Sequence, residues 1–442
     1  MPDIVVIGGG AAGLMAGITA ARQGASVVVL ERMKEPGRKM GITGKGRCNI
    51  TNACPIEEFI PNLPGNGKFL YSALRQFTNE DLLRFFQELG LETVTERGGR
   101  VFPASGKAKD VINVLLSALR NAGGRLVTGA QATGFVMKPG QVTGVRYRTM
   151  ENDGRRDGQD FRSLTKGKVK LGPEHTLDAA AVIVCTGGAS YPGTGSDGNF
   201  IPSLQNLGLS LEPLLPALVP LEPEEGFTEE LDGLQLKNVE ASVLADGNAV
   251  ARKFGELQFI RGGIAGPICL TMSRKVARLQ HYNQSELELS IDLKPALSED
   301  KLEARLLRDF QEFSRSTLAE VARKLLPGPL VAPVLDAAFL DGKKPVSQIS
   351  KEERAGLIRA VKQFTIPLIG TRPLSEAIVT AGGVALKEID PKTMKAKRMA
   401  GLWFAGEVMD VDGYTGGFNL QAAFSSGYVA GLHAAQMILN NK

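Results

Sequence analysis

The stretch that most restricts what this chain can fold into lies at its front. An apolar run, Ile4-Val5-Val6-Ile7, leads into Gly8-Gly9-Gly10-Ala11-Ala12-Gly13. A helical pattern follows to about Gln23, and a second apolar run over residues 26–30 ends on Glu31. Strand, glycine turn, helix, strand and acid in that order specify a βαβ unit built to bind an adenine dinucleotide. Gly8 permits the tight turn, Gly10 has no side chain to keep a pyrophosphate off the backbone, and Gly13 lets the helix approach the strand. The first helical amides, at Ala11 and Ala12, point at the phosphates, and the helix dipole favours their charge. Glu31, 23 residues after Gly8, is placed to accept hydrogen bonds from the ribose hydroxyls.

The next segment bears on which dinucleotide is held. From Arg32 to Arg47 there are six basic residues, one acidic residue (Glu35) and four glycines. A flexible, cationic, glycine-rich loop carrying Arg38, Lys39, Thr43, Gly44, Gly46, Arg47, Cys48 and Asn49 suits a long diphosphate cofactor. A solvated basic loop is the plain alternative. One complete glycine fingerprint occurs with a strand before it and an acid after it, so no dedicated second nucleotide domain is expected. A nicotinamide reductant, NADPH or NADH, would then dock transiently.

Residues 110–121 read as an amphipathic helix with Val111, Val114, Leu115 and Leu119 on one face, and Arg125-Leu126-Val127-Thr128 reads as a strand. Phe135-Val136-Met137 and Gly144-Val145-Arg146-Tyr147 predict a small antiparallel meander. Residues 151–170 are polar and basic and predict an exposed hairpin tip or mobile loop. The apolar run over residues 180–185 predicts a buried strand ending at Thr186-Gly187-Gly188, small residues suited to the second wall of the crevice. Beyond Pro192 the character changes, with Pro202, Pro213, Pro216, Pro220 and Pro223 punctuating the chain. Alternating runs at 239–244 and 286–291 predict antiparallel strands, and residues 298–326 and 350–364 read as helices.

The chain therefore divides into a first part of a cofactor domain (1–190), a β-rich, barrel-like insert (191–375) with a helical subdomain at about 295–345, and a second part (376–442). In that last part an apolar strand ends at Gly406-Glu407, and Gly416-Gly417-Phe418-Asn419-Leu420-Gln421 opens a helix to about residue 439. Bare amides behind two glycines suit a reduced flavin, whose negative charge at N1 and C2=O a helix dipole stabilises by roughly 0.3–2 kcal/mol. Glu407 would reach the ribityl hydroxyls.

Other classes are disfavoured. Four cysteines (Cys48, Cys54, Cys185 and Cys269) form no CxxC pair and three histidines are too few for a metal cluster, so reduced thiols and no metal are expected. No apolar stretch approaches the roughly 20 residues of a membrane helix. No signal segment is visible, so no membrane partner and a cytoplasmic location are expected. A net charge of +5 over 442 residues permits an anionic partner without requiring one.

Further motifs accompany the glycine turn. They are Gly37-Arg38-Lys39, Gly44-Lys45-Gly46-Arg47-Cys48-Asn49-Ile50-Thr51-Asn52, Gly99-Arg100-Val101-Phe102-Pro103 and Thr186-Gly187-Gly188-Ala189-Ser190-Tyr191-Pro192. Pro216-Ala217-Leu218-Val219-Pro220-Leu221, Gly263-Ile264-Ala265-Gly266-Pro267, Thr380-Ala381-Gly382-Gly383-Val384 and the Gly406 to Gln421 segment complete the set. Together they resemble the BaiN/RdsA family of NAD(P)/FAD-dependent oxidoreductases, also called YhiN-like flavoproteins, over essentially the whole chain. The resemblance implies an α/β fold: a glutathione-reductase-like Rossmann FAD-binding domain split by a β-rich insert that carries a helical unit. It implies FAD as cofactor, contacted by Gly8, Gly10, Ala11, Ala12, Gly13, Glu31, Arg32, Arg38, Lys39, Thr43, Gly44, Gly46, Arg47, Cys48 and Asn49. Ala132, Thr186, Gly187, Gly188, Gly406, Glu407, Gly416, Gly417, Asn419 and Leu420 would supply the other contacts.

One branch of that family is linked to bile-acid dehydroxylation, and another reduces a uridine of large-subunit ribosomal RNA to dihydrouridine. Both imply hydride transfer between flavin N5 and a conjugated C=C bond. One departure is present: Arg261-Gly262 stands just before Gly263-Ile264-Ala265-Gly266-Pro267, where relatives usually carry His or Tyr. The expectation is an RNA-modifying enzyme whose basic patches at 32–47, 155–170 and 387–398 hold phosphates. The alternatives are a reductase of an enone or steroid-like small molecule, and a non-catalytic flavin-bound protein. No catalytic residue is assigned. Cys48, if the cationic loop lowers its thiol pKa, and Tyr414, beside the paired glycines, are candidate proton donors.

Overall fold

The structure is a computed structural model that describes residues 1–150, 170–226, 229–283 and 285–440. The basic stretch expected to form a mobile loop therefore lies, but for Lys170, outside the described residues. The chain forms two compact units: Met1–Leu215 with Leu374–Lys442, and Pro216–Pro373.

The first unit is built on a five-stranded sheet in the order Leu402–Phe404, Ala181–Val184, Ile4–Ile7, Val27–Glu31, Arg125–Thr128. Every ladder is parallel, with Ile4 opposite both Ala181 and Val27. The three central strands are buried along their whole length, as expected where helices cover both faces of a sheet. The helix Ala11–Arg22 packs against the last helix, Phe418–Leu439. The two main chains approach so closely there that a Cβ at Gly427 would overlap the Ala12 carbonyl and one at Gly431 the Ala16 carbonyl.

Val111, Leu115, Ala118 and Leu119 form the buried face of the helix Ala108–Asn121. The meander has three strands, Ala130–Lys138, Gln141–Met150 and Leu171–Asp178, all antiparallel. A second small sheet joins Thr51–Asn52, Arg100–Pro103 and Thr93–Thr95. Residues 191–215 belong with this unit and not with the insert. Gly198 N–H donates to Gly188 O (3.1 Å), and Ser210 N–H donates to Glu388 Oε1 (3.4 Å).

The second unit is a closed six-stranded barrel: Leu221–Pro223, Gly263–Ala265, Asn248–Ile260, Gln235–Ala245, Leu287–Asp292 and Phe364–Thr371. The alternating runs become neighbours, with Val243 opposite Leu289 and Leu289 opposite Ile366. Their alternate residues Val239, Ala241, Val243, Leu287, Leu289 and Ile291 are buried. The helical stretch expected over 298–326 is interrupted. Glu299–Glu312 ends, and Leu318–Ala322 restarts on a capping box in which Thr317 and Glu320 satisfy each other's backbone amides. Such a cap contributes about 1 kcal/mol, enough to favour a break at that point. The helix Pro267–Tyr282 was not anticipated, although Pro267 at its first position and Ile268, Met272, Val276 and Leu279 on its buried face carry the signal.

Candidate functional site

The site lies at the carboxyl ends of the parallel strands in the first unit. Gly8 has φ 104°, and a side chain there would overlap the Cys185 carbonyl at the end of the neighbouring strand. A Cβ at Gly13 would overlap the Gly8 carbonyl, so the helix is pressed onto the turn. Gly10 differs, because a Cβ there would meet nothing within 4 Å. The helix that begins at Ala11 has no side-chain cap, which leaves its first amides facing this open side. An uncapped helix start without an obstructing side chain fits a diphosphate.

Glu31 is buried at the strand end. Its Oε2 accepts from Gly9 N–H (2.6 Å) and its Oε1 from Met33 N–H (2.7 Å), so the carboxylate already braces the glycine turn. Burial pushes its pKa up, against the opposing pull of those amides and of Arg32 and Arg38. The unused lone pairs on its oxygens are what a ribose could engage. Gly129 N–H donates to Met33 O (3.3 Å), which starts the strand of Ala132 beside the same turn.

The flexible cationic loop is corrected by the structure. Residues Arg38–Gly46 form a short helix, broken at Thr43-Gly44-Lys45, with Met40 buried. Its charges are mostly neutralised internally. Arg32 pairs with Asp197, Arg47 Nη1 lies 2.7 Å from Glu96 Oε1, and Lys39 Nζ donates to Glu407 Oε2 (2.6 Å) and Ser190 Oγ (2.7 Å). Glu407 Oε1 in turn accepts from Thr380 N–H (2.8 Å) and Ser190 O–H (3.1 Å). Both oxygens of Glu407 are thus engaged within the protein, and Lys39, Ser190, Thr380 and Glu407 form one cluster from four segments. The basic patch at 387–398 is also partly engaged, Lys397 Nζ donating to Lys387 O (3.0 Å) and Arg398 pairing with Glu388.

Small residues build the second wall. Gly187 lies against Ser196, and Gly188 against Thr380. Ser196 Oγ is buried and has no hydrogen-bond partner among the described residues. Ser196 and Asp197 were not singled out from the sequence, although Gly195-Ser196-Asp197-Gly198 is a small-residue turn whose acid follows directly.

The front motif and the tail motif meet directly. Thr51 O–H donates to Gln421 Oε1 (2.6 Å), and Asn52 Nδ2 donates to Gly416 O and Gly98 O (3.0 Å each). Asn49, with its amide oriented to satisfy its neighbours, accepts from Gly417 N–H (2.9 Å). Gly417 has φ 101°, and a side chain there would overlap the backbone of Thr51. The Gly417 amide is therefore not bare, which corrects part of the expected flavin-facing row; the Asn49 amide already accepts from it. Asn419 holds Gly413 through paired hydrogen bonds (2.8 and 2.7 Å) and also donates to Tyr414 O (3.2 Å), while Leu420 is half-buried on the next position of the helix.

Cys48 does not fit the expected activated thiol. It is fully buried with φ 63°, and burial pushes its thiol up to about 12, with a hydrogen bond to Thr43 opposing only weakly. A group whose pKa is raised on folding adds stability that is complete below its ordinary value near 9 and is lost as pH rises through about 12. Stability is therefore expected to fall across that window. Cys185 and Cys269 are equally buried, and Cys54 is partly exposed. Titration of native protein with a thiol-reactive dye at pH 8 is expected to give one fast equivalent at Cys54 and none at Cys48; rapid labelling of Cys48 would contradict this burial. Arg261 lies in the second unit, on the turn that joins two barrel strands. Among the described residues no group of His, Cys, Asp and Glu is placed to hold a metal, and no helix is long and apolar enough to cross a membrane.

A parallel sheet with an uncapped helix behind a glycine turn, a buried acid at the next strand end and a tail helix docked on the front motif define a Rossmann flavoprotein. The description "HI0933-like protein Rossmann domain" matches residues 2–433, and the chain belongs to that family of FAD-dependent oxidoreductases. It is 30% identical, over 99% of its own length and 100% of the relative's, to a 3-dehydro-bile acid delta(4,6)-reductase of Clostridium scindens. It is 28% identical, over 96% of each chain, to the ribosomal RNA dihydrouridine synthase of Escherichia coli K12. Among solved structures, a 3-ketosteroid delta1-dehydrogenase of Sterolibacterium denitrificans covers 99% of both chains at a TM-score of 0.51 and 14% identity, a likeness of fold alone.

Proposed function

We propose that this chain reduces a uridine of ribosomal RNA to dihydrouridine, with FAD bound across the glycine turn and the tail helix. The observation that carries the flavin reading is the junction of residues 49–52 with residues 416–421, which ties together segments more than 360 positions apart. Reduced flavin would supply the hydride, and NADPH or NADH would serve as transient reductant. The residues of this chain hold and orient: Gly10 leaves room for the diphosphate, Glu31 braces the turn and faces the ribose, and Lys39 with Glu407 lines the stretch between the two. The full-length similarity to a dihydrouridine synthase and the basic excess of the chain support RNA as substrate.

The bile-acid relative, similar over its whole length, supports a second reading: an enone or steroid-like substrate reduced by the same step. Both readings require hydride delivery to a C=C bond conjugated with a carbonyl. A deletion strain assayed for dihydrouridine in ribosomal RNA, with and without complementation, separates them. Loss in the deletion strain and return on complementation are expected; unchanged dihydrouridine in the deletion strain would sink the RNA reading. Stopped-flow bleaching of bound flavin by NADPH and by NADH identifies the reductant.

A further inference from the structure

We infer that Lys45, Arg97 and Arg100 form a cationic rim that grips the phosphate backbone of the RNA substrate, an inference that rests on the RNA reading above. In the described segments 32–47 and 387–398 several cations are engaged internally, whereas Lys45 keeps no ion-pair partner among the described residues, and Arg97 and Arg100 add two exposed cations outside those segments. Lys45, Arg97 and Arg100 are all exposed. The single acid among them, Glu96, is taken up mainly by Arg47 (2.7 and 3.4 Å), with Arg100 at 3.7 Å. Lys45 and Arg97 have no ion-pair partner among the described residues. Counting Arg47, four cations and one carboxylate lie on two turns that the Arg47–Glu96 pair joins.

Arg100 and the turn that carries Arg97 are braced by the protein itself. The Arg47 guanidinium lies 4.1 Å from the centre of the Phe102 ring and that of Arg100 lies 5.8 Å from it, so both are arranged on one buried aromatic. Ala53 N–H donates to Gly99 O (2.7 Å), and Asn52 Nδ2 joins Gly98 O to Gly416 O. The Arg97–Gly99 turn is therefore fixed beside the Gly416-Gly417 turn, where the reading above places the edge of the flavin. A small acid with one carboxylate needs one such cation. Several exposed cations on neighbouring turns match a chain of regularly spaced phosphates, which positions the substrate without reading its sequence.

The test uses full-length protein, the double variant Arg97→Glu/Arg100→Glu, and Lys45→Gln. Each is first checked for wild-type flavin content and melting temperature. Binding to a ribosomal RNA fragment is measured across salt concentration, and dihydrouridine formation is followed on naked RNA and on ribosomal particles. The double variant is expected to bind the fragment about tenfold or more weakly, with a salt slope reduced by about 1.4, the value for two lost contacts to a single strand. Its KM is expected to rise with kcat within about twofold of wild type. Unchanged affinity and slope, with wild-type protein forming dihydrouridine, would overturn the rim and leave the RNA reading standing. Loss confined to ribosomal particles would also overturn it, since the rim would then meet ribosomal protein. Absence of any dihydrouridine formed by wild type removes the RNA reading and the rim with it.

Discussion

Alanine at Gly427 is expected to lower the unfolding free energy by about 2 kcal/mol and to weaken retention of the yellow cofactor on gel filtration. Two effects compete. In an isolated helix, alanine is favoured over glycine by about 1 kcal/mol. Against this, the new methyl would overlap the Ala12 carbonyl, a main-chain atom that cannot rotate aside. Overpacking of that kind costs about 1–3 kcal/mol, and the upper end applies because the first helix as a whole must move. That movement carries Ala11, Ala12 and Gly13 with it, and so the amides proposed to meet the diphosphate. Gly356 is the control, since a Cβ there would make only ordinary contact, at 3.6 Å from Ala338 O. Gly356→Ala should be neutral or stabilising by up to about 1 kcal/mol. Urea denaturation of both variants reads the difference; a stabilised Gly427→Ala would refute the tight crossing of the two helices.

Glu407→Leu is expected to be at least as damaging, destabilising the first unit by about 3 kcal/mol. Lys39 would be left with its ammonium mostly buried, its side chain 25% exposed, and with Ser190 Oγ as its remaining partner in the cluster. Removing one member of a buried pair leaves an uncompensated charge, which costs more than the pair itself contributes. Lys39→Met/Glu407→Leu should therefore be more stable than Glu407→Leu alone. Recovery would be incomplete, because the Thr380 amide loses its acceptor, and an unmet buried donor costs about 1–3 kcal/mol. Thermal melts of the two single variants and the double give the coupling directly. Additive losses would mean that Lys39 and Glu407 do not act as a pair.

Local pattern carried much of this architecture. The front βαβ unit, the strand Arg125–Thr128 and the barrel strands around Val243 and Leu289 each follow from short-range periodicity. The helix Arg38–Gly46 did not, because its glycines and charges read as loop while burial of Met40 and the contacts of Lys39 and Arg38 decide otherwise. In the site, the glycine turn and Glu31 were legible because they lie within one βαβ unit. The cluster of Lys39, Ser190, Thr380 and Glu407 was not, since its members are separated by 27 to 368 positions and acquire meaning only when the strands are in order. Cys48 shows the limit of charge counting. Its cationic neighbours in sequence suggested an acidic thiol, but Arg47 is turned to Glu96, Lys45 is exposed, and the sulfur is enclosed.

The edge strand Leu402–Phe404 and the helix Phe418–Leu439 have a consequence for biosynthesis. As the polypeptide leaves the ribosome, the barrel unit is complete by residue 373, whereas the sheet still lacks a strand and the first helix lacks its partner. A nascent chain therefore carries an unfinished nucleotide fold through most of its synthesis, with the apolar flank of residues 11–22 awaiting cover. Flavin uptake is therefore expected to await residues 402–439, and products that stop short of the helix Phe418–Leu439 are expected to hold FAD poorly and to be open to proteases.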